Sequence, residues 1–280
     1  MKNRDFIITS LQPWDIEIGS TIKNTALEIS KNNRVLYINT PMDYSTRLRG
    51  NKNKAWTRRM DVIKKQASPI RQINEHMWIA DCPFCVLPVG GLPTTCLFDW
   101  INRINNRKIA DYIRQITTQL NFNNYIHLID TDIYRSQYLK EYLTPSLSIY
   151  YCRDFVIGES YWKKNGVRLE PLLAAKSDIV LANSTHFAER FRQYNRHTFS
   201  IETGVNLALY DGRKKWLIPE DIKPIPHPII GYVGTVNSTR LDSDLLLQIA
   251  EERPVYSFVF TGPEDEVFNI RYTDSLMSIF

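Results

Sequence analysis

The chain has 280 residues, 43% of them apolar, and its 35 basic and 30 acidic side chains give a formal net charge of +5. This length allows one large or two ordinary domains with substantial apolar cores, and so small a basic excess does not indicate a nucleic-acid partner. The sequence has neither a charged start followed by an apolar core nor an apolar run long enough to span a bilayer, so we expect a cytoplasmic protein.

The first residues predict a strand, a loop and a helix. A buried-strand pattern over residues 5–10 precedes a loop with Trp14, Asp15 and Gly19, and an amphipathic helix follows, with Ser20 or the next residue as its N-cap. In an open α/β sheet such a loop lies at the carboxyl edge, where ligands bind. The pattern leaves open whether this loop lines a site or is an ordinary connection.

Residues 47–65 form a strongly basic segment that also contains an apolar stripe. Trp56, Met60 and Ile63 recur at helical spacing among eight basic side chains and the single acidic residue Asp61. A helix of this kind could lie on an anionic membrane surface, which would suit an enzyme with a lipid-linked acceptor. The alternative is a solvated helix or a loop, because charge runs are usually solvated faces.

Four cysteines are too few for a disulfide framework in a chain of this length. Cys82 and Cys85 form a single C-x-x-C without a second pair at zinc spacing. We therefore expect two partly buried thiols and no metal site.

An amphipathic helix over residues 100–120 leads to a buried strand over residues 125–130. Asp130 and Asp132 stand at the carboxyl end of that strand. Carboxylates there can bind a sugar or act as a base, although aspartate is also common in turns and at helix N-caps. His127 lies among apolar neighbours, so we expect a core histidine with its hydrogen bonds satisfied.

Strands and helices continue to alternate up to residue 201, which predicts a parallel, doubly wound sheet. Arg153 and Asp154 follow the strand at residues 147–152. Gly204 lies in a turn after the last strand, where a positive φ would be sufficient to explain a glycine. The proline-rich stretch 216–228 predicts a stiff, extended linker without a helix. The expected domains are therefore residues 1–226 and 227–280.

The second domain begins with a βαβ pattern. A short apolar strand, a glycine turn with Gly231 and Gly234, an amphipathic helix and a second strand ending in Gly262 and Pro263 follow one another. The two turn glycines allow a ligand to approach the backbone at the carboxyl end of the strand. Because only about fifty residues are present, fewer than a Rossmann-like lobe usually needs, we expect this lobe to be incomplete.

These motifs resemble the family 4 retaining glycosyltransferases, which have two Rossmann-like lobes in the GT-B architecture. The resemblance rests on Gly-Tyr-Val-Gly-Thr at 231–235 with Arg-Leu-Asp at 240–242 and the strand 257–263. It also rests on Trp14-Asp15 and on the segments 149–154, 178–184 and 202–206. It covers nearly the whole chain but only the first part of the second lobe. Tyr151, Thr203 and Asn206 depart from the family pattern.

The resemblance implies transfer of a sugar from a nucleotide-sugar donor to a glycan or lipid-linked acceptor in polysaccharide synthesis. It further implies retention at the anomeric carbon, no required metal and no cofactor besides the donor. Asp130 and Asp154 are then the catalytic candidates. The acceptor-side candidates are Trp14, Asp15 and Gly19, and the donor-binding candidates are Gly204, Gly234, Thr235 and Arg240.

The family's later glutamate pair, E-x7-E, is not found, since Glu264 and Glu266 have the wrong spacing. We therefore expect a family member truncated within its second lobe. The alternatives are a non-catalytic module in which the first lobe binds a glycan or a partner, and an inert remnant. The absence of G-x-G-x-x-G after the first strand, of a P-loop and of H-E-x-x-H argues against a dinucleotide oxidoreductase, a P-loop enzyme and a zinc protease.

Overall fold

The computed structural model describes residues 1–16, 19–50, 53–204, 207, 211–238 and 240–263, together with the backbone of 277–279. The chain divides into two compact units, Met1–Tyr210 and Asp211–Phe280. The proline-rich stretch at 216–228 lies within the second unit.

Unit 1 is an eight-stranded sheet with helices on both faces. Its strands are β1 (Asp5–Ser10), β2 (Arg34–Ile38), β3 (Ile70–Asn74), β4 (Met77–Ala80), β5 (Ile126–Asp130), β6 (Leu147–Cys152), β7 (Ile179–Ala182) and β8 (Thr198–Ser200). Its helices are α1 (Thr21–Ser30), α2 (Tyr44–Arg49), α3 (Lys54–Ile63), α4 (Thr95–Gln119), α5 (Leu139–Leu143), α6 (Ser160–Lys176) and α7 (Thr185–Arg192).

The strand order is β3-β4-β2-β1-β5-β6-β7-β8, and every pairing except β3 with β4 is parallel. The predicted parallel, doubly wound sheet is confirmed, with an antiparallel edge strand that the sequence did not predict. Between β4 and α4, Val86 forms an isolated parallel bridge with Asp43.

Alternate residues of the central strands pack on opposite faces. Ile7 of β1 joins the cluster that contains Ile109 and Ile113 of α4, whereas Ile8 joins the cluster that contains Ile22 of α1. This division follows from the two-residue period of a strand. Ser20 is the N-cap of α1, and its hydroxyl accepts a hydrogen bond from the Lys23 amide at 3.3 Å.

Unit 2 contains β9 (Ile229–Val233), α8 (Ser243–Glu252), β10 (Ser257–Thr261) and β11 (Met277–Ile279), with the strands parallel in the order β11-β10-β9. The predicted βαβ unit is thus confirmed. The preceding stretch was expected to be extended, but it forms a turn in which the Ile222 amide donates to Pro219 O at 3.1 Å.

No helix within the described ranges is long and apolar enough to cross a bilayer.

Candidate functional site

The carboxyl edge of the unit 1 sheet gathers two groups of charged and polar side chains. We define the Asp130 cluster as Ser10, Gln12, Asp130, Arg153 and Asp154. We define the Asp81 cluster as Asp15, Asn39, Arg58, Arg71 and Asp81.

The Asp130 cluster joins the ends of β1, β5 and β6. Arg153 donates from Nε to Asp130 Oδ1 at 3.0 Å and from Nη2 to Gln12 Oε1 at 3.2 Å, while Ser10 Oγ donates to Asp130 Oδ2 at 2.6 Å. Arg153 also pairs through Nη1 with Asp154 Oδ2 at 3.1 Å. The sequence placed both aspartates at this edge but did not predict that one arginine joins them.

The two predicted catalytic candidates have different environments. Asp130 is fully buried, and burial raises the pKa of its carboxyl group against the opposing effects of Arg153 and Ser10. The Asp154 side chain is 58% exposed. Asp154 can therefore contact a ligand directly, whereas Asp130 contacts Arg153 and has no exposed surface.

Asp132 is also buried. Its carboxylate accepts a hydrogen bond from the Arg135 amide at 3.2 Å, as expected for an aspartate in a turn.

The Asp81 cluster joins the β1 loop to the ends of β2 and β4. Asn39 Nδ2 contacts Asp15 Oδ2 at 2.9 Å and Asp81 Oδ1 at 2.7 Å, and Arg71 Nη2 donates to Asp15 Oδ1 at 2.7 Å. Arg58 Nε donates to Asp81 Oδ2 at 3.2 Å. Asp15 was predicted to lie at this edge, and its two partners, Asn39 and Arg71, come from two other segments of the chain.

Of the other two acceptor-side candidates, Trp14 is held in place and Gly19 is not constrained. The Trp14 amide donates to Asn39 Oδ1 at 2.7 Å, and its half-buried ring packs edge-on against Tyr37 with centroids 5.4 Å apart. Gly19 is exposed, and a Cβ there would meet nothing within 4 Å.

A cavity of about 780 Å³ opens beside the Asp81 cluster, within unit 1. We call it the α3 cavity because α3 forms one wall. The rest of the lining comes from the loops after β1 and β2, from Thr46 of α2 and from Arg135 in the turn after β5. The lining residues are Leu11, Pro13, Asp15, Ile16, Thr40, Pro41, Met42, Asp43, Thr46, Asn53, Lys54, Ala55, Trp56, Arg59 and Arg135.

The predicted membrane-facing stripe of α3 packs inward instead. Met60 is buried with Met42 and Cys85, and Trp56 and Ile63 pack against that group. Of the basic segment, residues 51 and 52 lie outside the described part of the chain. Membrane contact through 47–65 remains a prediction, and in this structure it would depend on the basic side chains rather than on the stripe.

The donor-side candidates of unit 2 follow β9. The Gly234 amide donates to Thr261 O at 2.9 Å, and Tyr232 Oη donates to Thr235 O at 3.1 Å. Arg240 is exposed and lies in a turn. Its backbone amide donates to Asn237 Oδ1 at 3.1 Å. Glu264 and Glu266 lie outside the described residues.

Gly204 also differs from expectation. It does not have the positive φ that the sequence suggested; the residue with φ of 56° in that turn is Glu202. Gly204 is exposed and unhindered, and Asn206 lies outside the described residues.

His127 is a buried core residue, as predicted. Its Nε2 lies 2.9 Å from Thr9 Oγ1, and burial lowers the pKa of the ring to about 3. Its Nδ1 has no partner among the described residues, so only one ring nitrogen is satisfied.

Cys82 and Cys85 are buried free thiols, and burial raises the pKa of Cys82 to about 12, which disfavours the reactive thiolate. Within the ranges the structure describes, no three metal-ligating side chains come together.

The chain has a GT-B-like α/β fold, because its doubly wound sheet and the parallel βαβ unit that follows it resemble solved structures of that fold. HepE from Anabaena, solved with UDP and glucose, is similar over 99% of this chain and 69% of its own, with a TM-score of 0.59 and 12% identity. Sucrose-phosphate synthase from Thermosynechococcus elongatus is similar over 99% and 70%, with a TM-score of 0.60 and 9% identity. OtsA is similar over 96% and 68%, with a TM-score of 0.56 and 10% identity.

At these identities the likeness establishes the fold alone. Neither a family model nor a curated protein matches the sequence.

Proposed function

We propose that this chain is a retaining glycosyltransferase of the family 4 type, which transfers a sugar from a nucleotide-sugar to a glycan or lipid-linked acceptor. The observation that carries the proposal is the GT-B likeness over 99% of the chain. The polar carboxyl edge of unit 1 supports it, because open α/β sheets bind their ligands there. Polysaccharide synthesis is the process that we propose.

Unit 1 is the proposed acceptor side. Trp14 and Asp15 are fixed by Asn39, so the loop after β1 offers a prearranged aromatic ring beside a carboxylate. Gly19 lies in the same connection and leaves room for a ligand, since a Cβ there would meet nothing. Prearranged groups lose little conformational entropy when a ligand binds.

Unit 2 is the proposed donor side. Arg240 is exposed and could pair with a nucleotide diphosphate, which would stabilise the leaving group without a metal ion. Gly234 and Thr235 are the further donor candidates of this unit; the remaining donor candidate, Gly204, belongs to unit 1. The Gly234 amide is already bonded to Thr261 O, and a side chain at this position would meet Tyr232 Oη, so Gly234 would serve through the close approach of its backbone rather than by donating from its amide.

Asp154 is the proposed catalytic carboxylate, and Asp130 positions it through Arg153. Asp154 is exposed and can contact a substrate, whereas Asp130 is fully buried and cannot. An arginine shared by two carboxylates fixes the direction in which the exposed one points.

The test is binding and turnover with purified protein. UDP-glucose is the first probe, because HepE was solved with UDP and glucose. We expect UDP to raise the melting temperature and Arg240→Ala to abolish the rise, while Arg253→Ala, an exposed arginine after α8, serves as the matched control. If UDP, GDP and ADP all leave the melting temperature unchanged, the donor assignment is wrong.

A second candidate is a non-catalytic module that binds a glycan or a partner. The α3 cavity favours it, because all of its lining residues belong to unit 1. Stabilisation by a glycan together with no response to any nucleotide would select this alternative.

A further inference from the structure

Three side chains that line the α3 cavity carry hydrogen-bond donors without acceptors. Trp56 Nε1, Arg59 Nε and Nη2, and Arg135 Nη1 are closed off from solvent and make no hydrogen bond with the described part of the chain. Arg135 Nη1 lies 3.8 Å from Asp132 Oδ1, which is an ion pair but too long for a hydrogen bond.

The neighbouring arginines have carboxylate partners, although Arg71 Nε also lacks an acceptor in the described part of the chain. Arg58, the residue before Arg59, pairs with Asp81 and also donates to Ser68 O, and Arg71 pairs with Asp15. Asp15 also lines the cavity, but its two oxygens are taken by Arg71 and Asn39.

The remaining carboxylate of the lining does not supply the missing acceptor. Asp43 is the N-cap of α2, and its Oδ1 accepts from the Thr46 amide at 2.7 Å. Arg59 and Arg135 therefore keep donors that the carboxylates of the cavity lining do not satisfy.

Burial of such groups is costly. Burial lowers the pKa of Arg59, and the nearby positive charge of Arg135 lowers it further, against the opposing effect of Asp15 and Asp81. A guanidinium nevertheless stays charged at neutral pH, so the cost is not relieved by loss of a proton. An anion in the cavity would relieve it through its opposite charge.

We propose that the α3 cavity binds a phosphate group carried by the acceptor, with Arg59 and Arg135 as its ligands and Trp56 beside them. The proposal rests on the proposed function and specifies the substrate class of its acceptor side. The planar fork of arginine matches the oxygens of a phosphate, and two forks from separate elements suit a tetrahedral anion.

The dimensions and position of the cavity agree with such a ligand. About 780 Å³ is ample for a phosphate with a sugar attached, in the range of ordinary ligand sites. The loops after β1 and β2 that form its wall lie at the carboxyl edge of the sheet, next to Asp15.

The phosphate could belong to a soluble sugar phosphate or to a lipid-linked acceptor. Both present the same oxyanion to the cavity. Experiments with glucose 1-phosphate and with phosphatidylcholine vesicles that contain phosphatidylglycerol distinguish these sources.

The binding test uses calorimetry on the full chain at constant ionic strength. Inorganic phosphate and glucose 1-phosphate are the soluble probes, glucose is the neutral control, and vesicle sedimentation is the lipid arm. Arg59→Gln and Arg135→Gln are each expected to weaken phosphate binding about tenfold or more, since each removes a charged donor. Lys64→Gln removes the same charge from an exposed position just after α3 and should leave binding unchanged.

A stability measurement separates a binding role from a structural one. Arg59→Met removes an unsatisfied buried charge, so without phosphate it should melt at the same temperature as the parent or higher. It should no longer be stabilised by phosphate. A lower melting temperature without ligand would show that Arg59 is a structural residue and would overturn the proposal.

The outcomes also keep this inference apart from the proposed function. If UDP stabilises the chain but neither phosphate probe nor anionic vesicles bind through Arg59, the inference fails while the donor assignment stands. If phosphate binds through Arg59 and no nucleotide binds, the phosphate site stands and the glycosyl-transfer proposal fails.

Discussion

Arg153 and Asp130 form a buried ion pair across the ends of two adjacent parallel strands, with Nε to Oδ1 at 3.0 Å and Nη2 to Oδ2 at 3.3 Å. The same guanidinium holds the exposed Asp154. The pair therefore links the core of unit 1 to a side chain that a ligand can reach.

Asp130→Asn should destabilise unit 1 strongly. The substitution keeps the shape but leaves the largely buried Arg153 without its carboxylate, and breaking a buried pair in this way costs about 3–5 kcal/mol. Urea unfolding followed by circular dichroism measures the change. Asp154→Asn is the control and should cost less than about 1 kcal/mol, because an exposed ion pair contributes little. An equal loss in the free energy of unfolding for both variants would contradict the assignment of Asp130 as the buried, structural partner of Arg153.

Asp154→Asn should nevertheless impair catalysis. If Asp154 is the catalytic carboxylate, its amide variant folds normally and turns over UDP-glucose about a hundredfold more slowly. Steady-state kinetics should show the loss in kcat. A variant with normal stability and unchanged kcat would remove Asp154 from the catalytic candidates.

The buried ring of His127 should make the stability of the protein depend on pH. Its folded pKa of about 3 lies well below the ordinary value of 6.5. Between these two values the unfolded chain binds the proton and the folded chain does not, so stability falls as the pH is lowered through this window. The contribution is about 1.4 kcal/mol for each pH unit below 6.5.

The variant His127→Gln isolates this effect from the carboxylates that also titrate on acidification. Its free energy of unfolding should decline less steeply than that of the parent between pH 6.5 and 4.5. His186→Gln, at an exposed position on α7, should follow the parent curve. Parallel curves for all three proteins would show that His127 is not the source of the slope.

The parallel strands and the carboxyl edge of their sheet could be predicted from the sequence. Buried parallel strands are short apolar runs, and a polar residue that follows such a run must lie at the carboxyl edge, as Asp130 and Asp154 do. The edge strand β3 was not predicted, since its sequence Ile-Arg-Gln-Ile-Asn lacks an apolar run and its residues are half-buried or exposed.

Side-chain contacts between residues far apart in the chain could not be predicted from the sequence. Asn39 and Asp81 are 42 positions apart and meet only because β2 pairs with β4. Arg58 and Arg59 look identical within a basic segment, yet one is paired with Asp81 while the other lines a cavity with free donors. A charge run alone predicts a solvated face, and only the fold shows which of its members turn inward.

Two glycines of unit 2 should respond very differently to substitution by alanine. Gly262 has φ of 145°, and a Cβ there would overlap the carbonyl oxygen of Gly234, whereas a Cβ at Gly231 would meet nothing within 4 Å. Gly262→Ala must therefore displace the end of β10 from the end of β9, at a cost of at least about 1–3 kcal/mol. Hydrogen exchange of the β9 and β10 amides should accelerate in Gly262→Ala and remain near the parent rate in Gly231→Ala. Similar protection in both variants would contradict the close approach of the two strand ends.

The inward packing of α3 gives the last prediction. Met60 is buried against Met42 and Cys85, so Met60→Ala should lower the free energy of unfolding by about 2–5 kcal/mol, the usual cost of emptying a core site. Leu48 on α2 is 86% exposed, and Leu48→Ala should leave stability within about 0.5 kcal/mol of the parent. Sedimentation with anionic vesicles adds the second readout. Any binding by the parent should persist in Met60→Ala under conditions where that variant is folded, because the stripe does not face outward. A Met60→Ala variant with unchanged stability and lost vesicle binding would instead make the stripe a membrane-contacting face, as its helical spacing first suggested.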